Sequence, residues 1–127
     1  MSLNYVYNDY LKDTDGVTNW KSKSMLSATA TYYSNAVDVS YSSGHASLLV
    51  LTSAGSLVIT FEVSDDNKSW YTPYDTDGND LSSVASALTT NRWISFPPQV
   101  AHYIRFKFVL TSANSTVSAI YRQQELV

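Results

Sequence analysis

Apolar and polar residues alternate in several stretches of the chain, most regularly over residues 57–63. Leu57, Ile59, Phe61 and Val63 fall on one side of this stretch, and polar or smaller residues fall on the other. Alternation with a period of two is typical of a β-strand that has one face in a core. Polar turn-forming residues follow at 64–69, and the chain resumes with Trp70 and Tyr71. This order predicts a hairpin with an aromatic returning strand.

The same pattern predicts further short strands along the chain, at residues 26–33, 37–41, 45–52, 92–96, 101–110 and 116–121. The continuous apolar run at 48–51 predicts a strand that is buried on both faces. Residues 81–88 have apolar positions at helical spacing, and the alternative is a loop that packs its apolar side. The polar tail at 122–125 is predicted to be solvated. Short strands about ten residues apart predict an all-β, antiparallel β-sandwich.

The length and the N-terminal pattern predict how the chain is divided. At 127 residues, the chain is long enough for one domain. Residues 1–25 are weakly patterned and are predicted to form an arm or edge segment, ahead of a β-sandwich domain at 26–127. This segment contains four aromatic residues that we predict to contact a neighbouring copy: Tyr5, Tyr7, Tyr10 and Trp20. The alternative for the segment is an ordinary edge strand in its own sheet.

Composition argues against several classes of function. The chain has no cysteine, which excludes disulfides and thiolate metal sites. The net charge is −3 and no basic cluster is present, which disfavours nucleic-acid binding. The longest apolar run is too short to cross a bilayer. The N-terminus lacks the basic and apolar segments of a signal peptide. We therefore expect synthesis in the cytoplasm and no membrane partner.

One acidic loop is a candidate metal site. Asp75, Asp77 and Asp80 lie close together with Asn79, and calcium is held by several such oxygen ligands on a short loop. The glycine of this loop stands at its fourth position, whereas an EF-hand requires glycine at the sixth. The alternative is an ordinary turn, because Asp-x-Asp-Gly is also a common turn sequence. Apart from calcium, no cofactor is expected.

Catalytic motifs are not visible in the sequence. No serine lies in a Gly-x-Ser-x-Gly elbow. His45 and His102 are far apart and lack partners at the spacing of a zinc or nucleophile site. The sequence therefore predicts a protein that is not an enzyme.

Aromatic residues in or beside the predicted loops are candidates for ligand binding: Trp70, Tyr71, Tyr74 and Trp93. Such side chains can stack on sugar rings, so a carbohydrate-binding module is one predicted function. The alternative is that they cover the core or are buried between subunits, where aromatic residues are enriched.

Two segments carry a resemblance to known folds. The sequence FEVSDDNKSW at 61–70 resembles the strand–turn–strand of discoidin-like sandwiches, and VAHYIRFK at 100–107 resembles a later strand of that fold. The same pair is similar to small β-sandwiches of tailed-phage structural modules. The resemblance covers residues 55–72 and 94–121. It implies a β-sandwich of jelly-roll or discoidin-like type.

The resemblance also implies a function, and the differences between this sequence and secreted discoidin domains weaken an extracellular role. Secreted discoidin domains have terminal cysteines and a secretion signal, and this sequence has neither. The resemblance therefore implies a non-enzymatic phage or prophage virion protein, such as a head decoration, fibre or tail accessory subunit. Such a subunit would self-associate, dock on other virion proteins and be located in the virion. Binding of glycans by the loop aromatics is the alternative function.

Overall fold

The computed structural model describes residues 5–9, 20–25, 30–40, 42–52, 56–98, 101–110 and 115–126. Within these residues the chain is all β, with ten strands and no helix. The strands are β1 (Tyr5–Asp9), β2 (Trp20–Met25), β3 (Ala30–Tyr33), β4 (Val37–Asp38), β5 (Ser42–Thr52), β6 (Leu57–Ser64), β7 (Ser83–Leu88), β8 (Arg92–Phe96), β9 (Tyr103–Leu110) and β10 (Ser115–Leu126). Because these residues contain no helix, none of them forms a helical membrane span.

The strands form two antiparallel sheets. In the first sheet, β10 pairs on one side with both β1 and β2, and on the other side with β5, which pairs with β8. In the second sheet, β9 pairs on one side with both β3 and β4, and on the other side with β6, which pairs with β7. If β1 and β2 are counted as one strand, and β3 and β4 as another, the sandwich has two four-stranded sheets. The connections between these eight strands follow the order of a jelly roll. The predicted antiparallel β-sandwich is confirmed, whereas the discoidin-like subtype is not.

The core lies between the inner faces of the two sheets. Alternate residues of β9 are fully buried: Ile104, Phe106, Phe108 and Leu110. Phe96 of the first sheet reaches across to Phe61 and Phe106 of the second, with ring centroids 5.8 and 5.7 Å apart. Tyr121 of the first sheet also contacts Phe106, at 5.4 Å. Edge-to-face and tilted aromatic contacts of this kind stabilise a core beyond the area that they bury.

A buried polar contact ties the end of β10 to the second sheet. The hydroxyl of Tyr121 donates to Oε1 of Gln123 at 3.0 Å, and Nε2 of Gln123 donates to the backbone carbonyl of Asp38 at 3.2 Å. Gln123 is fully buried. The prediction of a solvated tail is therefore wrong at Gln123, whose polar side chain is buried with hydrogen-bond partners, and β10 continues to Leu126.

Three other local predictions differ from the structure. Residues 83–88 form strand β7, because pairing with β6 overrides the helical spacing of their apolar residues. The run at 48–51 is buried on one face: Leu48 and Val50 are inaccessible, whereas Leu51 is 44% exposed. Beyond the turn at 65–69, Tyr71 forms a single antiparallel bridge with Val63 in place of the predicted returning strand.

The N-terminal segment contributes two strands whose backbone pairs with β10. Tyr5 is paired with Leu126 and Tyr7 with Gln124, while Trp20 is paired with Ala119. Tyr10 lies outside the described residues. The side-chain contacts of all four residues are likewise outside the described part, so their role between copies stays a prediction.

Candidate binding surfaces

The outer face of the first sheet carries an apolar row that runs across three strands. Trp93 of β8 is paired with Leu49 of β5, and Leu49 is paired with Ile120 of β10. Leu49 and Ile120 each lie between two buried neighbours, and Trp93 precedes Ile94, which packs against the core, so the three side chains share the outer face. Trp93 is 59% exposed. The sheet thus presents a large aromatic ring to solvent.

A polar row lies beside the apolar one. Ser95 is paired with Ser47, and Ser47 is paired with Arg122. A cavity of about 300 Å³ is lined by Trp93 of the apolar row, by the three residues of the polar row, and by His45, Ala46 and Gln124. An adjoining cavity of about 390 Å³ is lined by Gly44, His45, Ala46, Ser95, Phe96 and Pro97. This part of the first sheet therefore carries two shallow, open depressions that are bordered by hydrogen-bonding groups.

The outer face of the second sheet is built around Arg105, which sequence reasoning missed. Its guanidinium lies over the rings of Tyr33 and Trp70, 4.4 and 4.6 Å from their centroids. Its Nε donates to Oε1 of Glu62 at 2.8 Å across the strand pair. Cation–π contacts with two rings hold the guanidinium in place. The signal in the sequence was the outward position of Arg105 between the buried Ile104 and Phe106.

The structure does not bring the four predicted ligand-binding aromatics together. The ring of Trp70 is engaged by Arg105 on the second sheet. Tyr71 and Tyr74 lie in the loop that leads to β7 and are 65% and 61% exposed. Trp93 lies on the outer face of the first sheet, on the opposite side of the sandwich. A single sugar site formed by all four residues is therefore not what the fold provides.

The acidic loop at 75–80 is closed by hydrogen bonds of its own. Oδ1 of Asp75 accepts from the backbone N–H groups of Asp77 and Asn79 at 2.9 and 2.8 Å, and Oδ2 accepts from Nδ2 of Asn79 at 2.9 Å. Gly78 adopts φ +84°, a conformation that suits glycine. The loop therefore has the turn structure that the sequence allows as the alternative to a calcium site.

The described part of the chain contains no preformed cluster of metal ligands. No set of three or more histidine or carboxylate side chains there is placed to hold a metal ion. Asp80 accepts a hydrogen bond from the backbone of Ser82 at 2.7 Å. Calcium binding by Asp75, Asp77 and Asp80 stays a prediction from the sequence.

Asp38 joins two further polar side chains at the end of the second sheet. Ser40 donates to its Oδ1 at 2.6 Å, and Nε2 of His102 lies 3.6 Å from its Oδ2. Burial raises the pKa of Asp38, but the hydrogen bonds from Ser40 and the charge of His102 outweigh it, so the pKa lies below its usual value. In a serine triad the histidine contacts the serine. Here both Ser40 and His102 contact the carboxylate, which is not the order of a triad.

The turn carboxylates predict how stability depends on pH. Hydrogen bonds from the backbone of Ser69 and Lys68 hold the pKa of Asp66 below its usual value, and those from Asn79 lower the pKa of Asp75. The pKa values of both carboxyl groups are lower in the folded state than in the unfolded state, where they are near 3.8. The two carboxylates therefore stabilise the fold fully at a pH above 3.8, and this stabilisation is lost as the pH falls through their folded-state pKa values.

We expect the urea concentration at the midpoint of unfolding to decrease as the pH is lowered from about 5 to 2. In Asp66→Asn this decrease should be less steep. Asp65→Asn is the matched control, because Asp65 is the adjacent exposed carboxylate. An identical slope for the wild type and Asp66→Asn would contradict the prediction.

Comparisons with known proteins identify the fold rather than a family. No protein-family model matches the chain, and no curated protein matches it in sequence. The SPBc2 prophage-derived protein YomS has a similar structure, with a TM-score of 0.53 and 12% identity, over 98% of this chain and 96% of that one. A structure of infectious bursal disease virus, Gx strain, is similar with a TM-score of 0.50 and 13% identity, over 99% of this chain and 32% of that one. The enzymatically active domain of bacteriophage CBA120 tailspike protein 4 has a TM-score of 0.47 and 14% identity, over 98% of this chain and 18% of that one.

Proposed function

We propose that the chain is a non-enzymatic structural protein of a phage or prophage particle and that it acts through self-association. The observation that carries this proposal is the fold that it shares, over nearly the full lengths of both chains, with a prophage-derived protein. The second similar structure is that of a virus, and jelly rolls are a frequent architecture of capsid domains. Head decoration, fibre and tail accessory subunits are the roles that this proposal covers, with other virion proteins as partners.

The physical basis for self-association is an open strand edge. Among the described residues, β7 has a single neighbouring strand, β6, so its other edge carries unpaired backbone groups. Residues 83–88 contain neither a charged residue nor proline, the usual means by which a protein protects an edge. Among the other edge strands, β8 carries Arg92 and is followed by Pro97 and Pro98, and β1, β2 and β4 each contain a charged residue. The remaining edge strand, β3, also lacks charge and proline, but it has 4 residues, whereas β7 has 6. We therefore assign the contact between copies to β7.

Ala87 is an exposed residue of β7, where a charged side chain would oppose pairing with a second copy. We expect Ala87→Lys to lower the solution mass, measured by light scattering, from that of an oligomer to the monomer mass of 14.1 kDa. A lysine on the edge would have to be desolvated when a second strand pairs with it. Thr76→Lys is the matched control, because it adds the same charge to an exposed turn.

The solution mass distinguishes a contact through β7 from a contact through the N-terminal segment and from the absence of self-association. Dissociation by Ala87→Lys but not by Thr76→Lys supports the β7 contact. An oligomer that persists in both variants rules out β7 and directs attention to the predicted N-terminal contacts at Tyr5, Tyr7, Tyr10 and Trp20. A wild-type chain that is a monomer, with and without calcium, would contradict self-association altogether.

A further inference from the structure

The apolar and polar rows on the first sheet lie close enough to serve one small ligand. The apolar row is Trp93, Leu49 and Ile120, and the polar row is Ser95, Ser47 and Arg122. Successive outward residues are about 7 Å apart along a strand, and neighbouring strands are about 5 Å apart. A ligand that rests on the Trp93 ring can therefore reach the hydroxyl groups of Ser95 and Ser47.

The space beside Trp93 has a volume suited to a small ligand. The cavity of about 300 Å³ and the adjoining one of about 390 Å³ share His45, Ala46 and Ser95 as lining residues. Sites for small molecules commonly have volumes of about 300–1,000 Å³. The two cavities together would accommodate one or two sugar rings, with further rings of a longer glycan extending into solvent.

The chemistry of the lining favours a neutral, polyhydroxylated ligand. Hydroxyl groups of a sugar both donate and accept hydrogen bonds, and so do the hydroxyls of Ser47 and Ser95. The amide of Gln124, whose Oε1 accepts from the hydroxyl of Ser43 at 3.4 Å, offers its N–H groups as donors. The C–H face of a sugar ring packs on an exposed aromatic ring such as that of Trp93. Among the described residues that line the two cavities there is no carboxylate, and Arg122 is the single arginine or lysine. A ligand with several charges would find little to neutralise it.

We infer that the outer face of the first sheet binds a carbohydrate, with Trp93 as the stacking platform and Ser47, Ser95 and Gln124 as hydrogen-bonding groups. This site differs from the one expected from the loop aromatics. The ring of Trp70 packs on Arg105, and Tyr71 and Tyr74 lie in the loop that joins β6 and β7 of the second sheet. The carbohydrate site does not depend on self-association through β7, because Trp93 is on an outer face and Ala87 is on an edge.

The test uses the full chain and a panel of glucose, galactose, mannose and N-acetylglucosamine at high millimolar concentration. The chain has three tryptophans, so an amide nitrogen–proton spectrum shows three indole N–H signals, and Trp93→Phe identifies that of Trp93. We expect at least one of the sugars to shift this signal. Oligosaccharides that contain that sugar should then bind on a glycan array, and Trp93→Ala should weaken binding about tenfold or more.

The matched control is Tyr74→Ala, which removes an equally exposed aromatic ring from the loop between β6 and β7. Retained binding in Tyr74→Ala and loss in a folded Trp93→Ala would support the proposal, as would weaker binding in Ser95→Ala. Absence of shifts with all four sugars would overturn it, and so would binding that Trp93→Ala leaves unchanged. A fall in solution mass in Trp93→Ala without any sugar binding would overturn it too, and would assign this face to contacts between copies.

Discussion

Replacing Phe106 with alanine is expected to lower the free energy of unfolding by about 3–5 kcal/mol. Phe106 is fully buried, and its ring contacts Phe96 and Tyr121 of the first sheet as well as its neighbour Phe108. The truncation removes the packing of one ring and leaves a cavity between the sheets, where the surrounding aromatic rings can relax only in part. Since a domain is stable by about 5–15 kcal/mol, this loss is a large share of the total.

Urea denaturation at fixed protein concentration measures the effect, because association would otherwise add a concentration-dependent contribution. Tyr74→Ala is the control, since it removes an exposed ring and should change the free energy of unfolding by less than about 0.5 kcal/mol. Phe106→Leu should fall between the two. A loss below about 1 kcal/mol in Phe106→Ala would contradict the assignment of this residue to the centre of the core.

Alternation of side chains made much of the sandwich predictable. The inward residues of β6 and the existence of β9 are predicted correctly, because both strands have a regular period of two and one buried face. The pattern could not give strand order, because pairing depends on residues far apart in sequence. Nor could it give the end of β10, where the polar Gln123 is buried by hydrogen bonds to Tyr121 and to the backbone of Asp38.

The candidate sites were harder to predict than the fold, because they depend on which strands are neighbours. Trp93 was selected as an exposed aromatic, but its association with Ser47 and Arg122 follows from the pairing of β8, β5 and β10. Trp70 was placed with the same group, although its ring lies on Arg105, which is 35 positions further along the chain. Single-sequence patterns contain no information on such long-range contacts.

The second large effect is expected from Arg105, which joins the turn at 65–70 to the second sheet. Arg105→Ala should lower the free energy of unfolding by about 2–3 kcal/mol, because it removes two cation–π contacts and the hydrogen bond to Glu62. The Arg105 and Glu62 side chains are about a quarter exposed, at 27% and 23%, which reduces the ionic part of this loss. Arg105→Lys should recover only part of it, since lysine keeps the charge but lacks the planar group that stacks on both rings.

Limited trypsin digestion separates a local effect of Arg105 from a general loss of stability. Lys68 lies in the turn that precedes Trp70, so release of the Trp70 ring should speed cleavage after Lys68 under conditions where the protein stays folded. Lys107→Ala is the matched control, because it removes the next outward cation on β9. If Arg105→Ala lowers stability without faster cleavage at Lys68, the stacked guanidinium does not hold the turn. If cleavage rises equally in Lys107→Ala, the effect belongs to the charge of the sheet face and not to the contact with Trp70.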